Sequence, residues 1–97
     1  MPTYISLINY TEQGIRNIKD SPKRLDAAKK VLKSMGGELK AFYLTMGAYD
    51  IVTVVEAPSD EGMAKFALAT GAAGNVRTTT LKALTEAEFR KVIASLP

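Results

Sequence analysis

The segment from Gly47 to Pro58, Gly-Ala-Tyr-Asp-Ile-Val-Thr-Val-Val-Glu-Ala-Pro, constrains the fold more than any other stretch. Ile51 to Val55 is an unbroken run of β-branched residues, which favour the pleated backbone of a strand. The residues before it, Glu38 to Met46, also read as a strand. Only Gly47-Ala48 separates them from a third strand over Tyr49 to Ala57. So short a gap predicts a hairpin loop and antiparallel pairing.

The flanking segments extend this hairpin into a larger pattern. Tyr4, Ile5, Leu7, Ile8 and Tyr10 predict a first strand over Thr3 to Tyr10. Thr11 to Gly14 ends it, and Ile15 to Lys19 fits a short helical turn. Asp20-Ser21-Pro22 then reads as a helix start, with a capping side chain followed by a proline in the first turn. Leu25, Ala28, Val31, Leu32 and Met35 follow at helical spacing, and Gly36-Gly37 stops the helix. Ser59 is the expected cap of a second helix, whose inner stripe is Met63, Phe66, Ala67 and Thr70. Asn75 to Leu84 reads as a fourth strand. Thr85-Glu86-Ala87-Glu88 has the spacing of a capping box, and Phe89, Val92, Ile93 and Leu96 form the apolar stripe of a terminal helix.

The order is β-α-β-β-α-β with an added C-terminal helix. This is an α+β, ferredoxin-like plan: a four-stranded antiparallel sheet with its crossover helices on one face. Ninety-seven residues fit a single domain over 1–97. The opposite face of such a sheet is polar in a monomer. Here alternation leaves apolar residues on both faces. Ile51 and Val55 oppose Val52 and Val54, and Ile5 and Leu7 oppose Tyr4 and Ile8. In the second strand, Leu39, Ala41 and Tyr43 oppose Phe42, Leu44 and Met46. A sheet apolar on both faces predicts a second cover, and a homodimer or higher homo-oligomer packing sheet against sheet is the expected one.

Composition narrows the chemistry. The chain has no histidine and no cysteine. Histidine-dependent triads, thiolate catalysis and zinc–thiolate sites are therefore excluded, and no metal site or cofactor is expected. No apolar run approaches the roughly 20 residues needed to span a bilayer. Met1 to Tyr4 lacks the basic-then-apolar pattern of a signal peptide, so a cytoplasmic protein is expected. The net charge is +3. Much of it comes from Lys19, Lys23, Arg24, Lys29, Lys30 and Lys33, in or just before the first long helix. They read as a solvated outer face, and with no recognition motif present nucleic-acid binding is the last expectation.

Gly47-Ala48-Tyr49-Asp50, read as Gly-x-Tyr-Asp, resembles the signature of the GYD domain family, and the likeness runs over essentially the whole chain. It implies a dimeric α/β-barrel, ferredoxin-like protein of uncharacterised function. Gly74-Asn75-Val76-Arg77-Thr78-Thr79-Thr80 is more loosely similar to the last strand of the effector-binding domain of leucine-responsive (AsnC-type) regulators, with an extra Asn after the glycine. That second likeness implies small-molecule binding near subunit interfaces.

The candidate ligand-binding residues are Tyr10, Tyr49, Asp50 and Arg77. Asp50 has two readings, a carboxylate that meets a ligand or a proton and a turn residue that bonds main-chain amides. Arg77 suits recognition of a carboxylate or phosphate, or is an exposed strand residue. Tyr49 and Tyr43 line a pocket, or pack a ring with the hydroxyl at the rim, and Tyr10 is a further residue at the pocket's border. Gly47 supplies a positive φ. The leading expectation is a small-molecule-binding or regulatory module acting as a homo-oligomer. The alternative is a cofactor-free enzyme, of isomerase or monooxygenase type, acting on a small apolar substrate through Asp50, a tyrosine or a lysine.

Overall fold

Strand β1, Thr3–Tyr10, lies inside the sheet and pairs antiparallel on both sides, with β3 (Ile51–Glu56) and with β4 (Val76–Ala83). Strand β2, Glu38–Leu44, pairs with the free side of β3, giving the order β2-β3-β1-β4. The computed structural model, which describes residues 1–97, is therefore the expected α+β, ferredoxin-like arrangement. Its helices are α1 (Glu12–Arg16), α2 (Ser21–Ser34), α3 (Asp60–Ala72) and α4 (Glu86–Ala94), with a 3-10 turn at Ile18–Asp20.

Local chemistry explains most boundaries. Ser59 Oγ accepts from the Gly62 amide at 3.0 Å, and Asp60 and Glu61 occupy the first turn of α3, where the helix dipole favours negative charge. The capping box of α4 is complete. The Glu88 amide donates to Thr85 Oγ1 at 3.2 Å, and the Thr85 amide donates to Glu88 Oε1 at 2.9 Å.

Two boundaries differ from expectation. The helical turn after β1 begins at Glu12 rather than Ile15, because Thr11 caps it: Thr11 Oγ1 accepts from the Gly14 amide at 3.1 Å. The β2–β3 connection is wider than a Gly47-Ala48 hairpin and runs from Thr45 to Asp50. Thr45 closes it, donating its amide to the Asp50 carbonyl at 2.8 Å and its hydroxyl to the Tyr49 carbonyl at 2.6 Å. Met46 is thereby left wholly exposed.

A third difference concerns side-chain direction in β2. Leu39 pairs with Val55 and Ala41 with the adjacent Val54, so Lys40 is an extra residue. Such a bulge resets the alternation. Leu39 therefore shares a face with Phe42, against the expected grouping with Ala41 and Tyr43.

Directly paired residues share a face. One face carries Tyr4, Ser6, Ile8, Leu39, Phe42, Ile51, Thr53 and Val55, and α2 and α3 lie over it. The core gathers at one end: Tyr4, Leu32, Val55, Ala57 and Met63 are buried, with Leu39 and Phe66 against them. Leu32 comes from the end of α2 and Met63 from the start of α3. The other face carries Ile5, Leu7, Ala41, Val52, Val54 and Leu81, and no element of the chain covers it.

Helix α4 takes no part in the core. Every residue from Thr85 to Pro97 is exposed, including Phe89 at 56% and Leu96 at 61%. The molecule is 52 Å long but only 18 Å thick.

Helix α1 depends on one close approach. A methyl group at Gly14 would stand 2.0 Å from the Asn75 carbonyl oxygen, well inside contact distance. Gly14→Ala is expected to lower stability by about 1–3 kcal/mol, the usual cost of overpacking. Gly71, near the end of α3, has open space around it. Gly71→Ala is expected to raise stability by about 0.5–1 kcal/mol. Chemical denaturation of the two variants beside the parent checks both signs.

Candidate functional site

Away from the core end, α2 and α3 stand apart over the sheet. Several of the residues that line the gap are small: Ala27 and Ala28 on α2, Ala69 on α3 and Ala73 just beyond it. They leave a cleft of about 340 Å³, within the range of small-molecule sites. Ile8, Phe42, Ile51 and Val76 form its floor, and Leu25, Val31 and Phe66 its walls. A smaller hollow of about 90 Å³ adjoins it and shares Leu25, Phe42 and Phe66. Hydroxyl residues Ser6, Thr53, Thr78 and Thr80 border the hollow, and Ser6 and Thr80 lie within hydrogen-bond distance of each other at 3.3 Å.

The polar groups of the cleft belong to Tyr10, Ser21, Arg24, Thr70 and Asn75. The Tyr10 hydroxyl and Ser21 Oγ share a hydrogen bond of 2.7 Å, which ties the end of β1 to the first turn of α2. Arg24 donates Nη1 to the Asn17 carbonyl at 3.0 Å, while its Nη2 is buried without a partner. Arg24, expected on the solvated face with the lysines, is only partly exposed and lines the cleft. Its spacing held the signal, since positions 24, 28 and 31 fall on one side of a helix.

Of the residues singled out from sequence, Tyr10 lines this cleft, whereas Tyr49, Asp50 and Arg77 do not. Arg77 pairs with Asn9 on the uncovered face of the sheet. Tyr49 sits in the β2–β3 loop, where its carbonyl accepts from Thr45. Asp50 is a junction. Its carboxylate Oδ2 accepts from the Tyr10 amide at 2.9 Å, and its own amide donates to the Ile8 carbonyl at 2.9 Å. Its carbonyl holds Thr45. Asp50 thereby joins the loop to the end of β1, close to where Tyr10 enters the cleft. Gly47 has φ of +145°, a conformation that side chains rarely adopt, with open space around it. Backbone conformation, not crowding, calls for glycine there.

The whole pattern matches the family model described as the GYD domain over residues 4–93. The chain belongs to the GYD domain family. It is similar to a Thermus thermophilus protein named glutamine synthetase and cystathionine beta-lyase binding protein. The two are 34% identical over 90 residues, which is 92% of this chain and 95% of that relative. In this GYD chain, no group of three or more aspartates and glutamates converges in a way that could hold a metal ion. No helix is long and apolar enough to cross a membrane.

A second polar cluster fastens α3 to the sheet. Tyr4, buried at 3% exposure, donates its hydroxyl to Asp60 Oδ1, and Lys82 Nζ reaches Asp60 Oδ2 at 3.0 Å. Burial, then the hydrogen bond and charge of Asp60, push the Tyr4 hydroxyl up to about 12. The Tyr4 and Lys82 hydrogen bonds hold the Asp60 carboxyl below its ordinary value. A phenol so reluctant to ionise is a donor and a strut.

These groups set the pH dependence of folding. A raised Tyr4 stabilises the fold fully below the ordinary tyrosine value of about 10, and that contribution is lost as pH rises towards 12. A lowered Asp60 stabilises above its ordinary value of 3.8, and that contribution is lost as pH falls through the depressed value. Tyr4→Phe is expected to flatten the alkaline arm of a melting-temperature profile, and Asp60→Asn the acid arm. At Asp50, alanine would leave the Tyr10 amide without its acceptor. Asp50→Ala is expected to cost about 1–3 kcal/mol, read by urea denaturation.

Proposed function

We propose that this GYD-family chain is a non-catalytic regulatory binding module of the cytoplasm. In this reading it assembles with copies of itself, docks on an enzyme, and takes a small molecule into the α2–α3 cleft. The observation that carries the reading is the uncovered apolar surface. Ile5, Leu7, Val52 and Val54 lie side by side on the open face, with Leu81 at 47% and Tyr43 at 63% exposure beside them. Charged residues stand at its ends, Glu56 at one and Arg77 at the other. An apolar centre with a charged rim is the anatomy of a protein interface.

A second copy is the occupant we assign to that face. The same chain presents two unpartnered apolar surfaces, the sheet face and the stripe of α4, and a symmetric dimer covers both at once. The partner enzyme is read from the relative. That protein is named for binding glutamine synthetase and cystathionine beta-lyase, and we propose an enzyme partner of this kind here.

The test is a mass measurement by light scattering on the eluting protein, followed by biolayer interferometry on immobilised glutamine synthetase from the same organism. The parent is expected to elute as a multimer. Val54→Lys places a charge at the centre of the open face, and burying it unpaired is expected to weaken self-association about 100-fold or more. Its circular dichroism should stay that of the parent, because in one copy the site faces water. A monomeric parent would sink the assembly reading, and the absence of saturable binding to the enzyme would sink the docking one.

A further inference from the structure

We propose that the α2–α3 cleft selects a small monocarboxylic acid with an apolar body, its carboxylate held by Arg24. The inference deepens the reading of the cleft as a small-molecule site and rests on it. Its starting point is the unpartnered nitrogen. Arg24 spends Nη1 on the Asn17 carbonyl, while Nη2 is buried with no acceptor. Arg24 also takes part in none of the ion pairs of the chain. A guanidinium nitrogen drawn out of water and left unpaired is unfavourable, and buried polar groups in native folds find partners. Within this chain none is offered, which leaves Nη2 open to an acceptor from outside it.

The rest of the cleft specifies the kind of acceptor. Arg24 is the only charged residue lining it. The ammonium group of an amino acid would find no carboxylate there, and a second acid group would find no second cation within the cleft, since Lys29 borders only the adjoining hollow. A phosphate monoester carries more charge than one guanidinium balances. A single carboxylate matches the planar fork of arginine. The other polar groups that line the cleft, the Tyr10 hydroxyl, Ser21, Thr70 and Asn75, are neutral. Beyond them the surface is aliphatic and aromatic, with Leu25 and Phe66 as its walls. An acid with an apolar chain or ring meets both halves of this surface.

The experiment uses three probes of one chain length on the intact protein, by titration calorimetry: octanoate, octan-1-ol and octylammonium. Octanoate is expected to bind saturably and about tenfold or more tightly than octanol, the margin of one charge-assisted contact. Octylammonium is expected to be the weakest of the three. Arg24→Met should reduce octanoate to the level of octanol and leave octanol unchanged. A measurement on the parent guards against a variant that folds poorly. The carboxyl of [1-13C]octanoate, followed by NMR, should titrate at lower pH when bound than when free, because the guanidinium favours the anion.

Equal binding of octanoate and octanol, or an unshifted carboxyl titration, would overturn the carboxylate assignment and leave the cleft as a site for neutral apolar molecules. Failure of all three probes to bind would overturn the small-molecule reading of the cleft itself.

Discussion

Two helices are too few to cover a four-stranded sheet that is apolar on both sides. That shortage governs the rest of the structure. Helices α2 and α3 close on one end of one face, where Leu32 and Met63 meet Tyr4 and Val55. At the other end the helices diverge, the alanines between them leave the gap unfilled, and the cleft results. The second face receives no cover, and α4, exposed along its whole length, buries nothing there. Cleft, bare face and loose helix are three consequences of one mismatch between apolar surface and the elements available to bury it.

Polar contacts hold the geometry that so small a core leaves open. Asp50 locks the β2–β3 loop to β1 through main-chain partners. The Tyr4–Asp60–Lys82 cluster anchors the start of α3, and Tyr10 with Ser21 anchors the start of α2. Each helix over the sheet is thus pinned at its N-terminal end. The pin of α3 stands at the closed end of the face, and the pin of α2 at the mouth of the cleft. The spacing of the cleft walls follows from where these anchors stand as much as from packing.

Much of the fold was legible in the residues. The β-branched run from Ile51, the Ser59 cap and the Thr85–Glu88 box act over neighbours in sequence, so their effects are legible without tertiary knowledge. The apolar second face followed from alternation. The site was less legible. Asp50 stands out in the sequence, but its main-chain partners Tyr10 and Ile8 come from a strand distant in sequence. Arg24 is hidden in the sequence because a basic residue among lysines resembles a solvated face. Only the position of α2 over the sheet turns its side chain into the cleft wall.

The chain by itself determined the order of elements, their caps and the two-sided apolarity of the sheet, because these depend on dihedral preference, local hydrogen bonds and the period of side chains. Tertiary structure decided the rest. A bulge at Lys40 reset which β2 side chains face the helices. Pairing across the sheet made Asp50 a junction, and the divergence of α2 from α3 created a cavity with one unpaired guanidinium nitrogen at its wall. Those features arise between residues far apart in the chain, where no local preference of the backbone specifies how they meet.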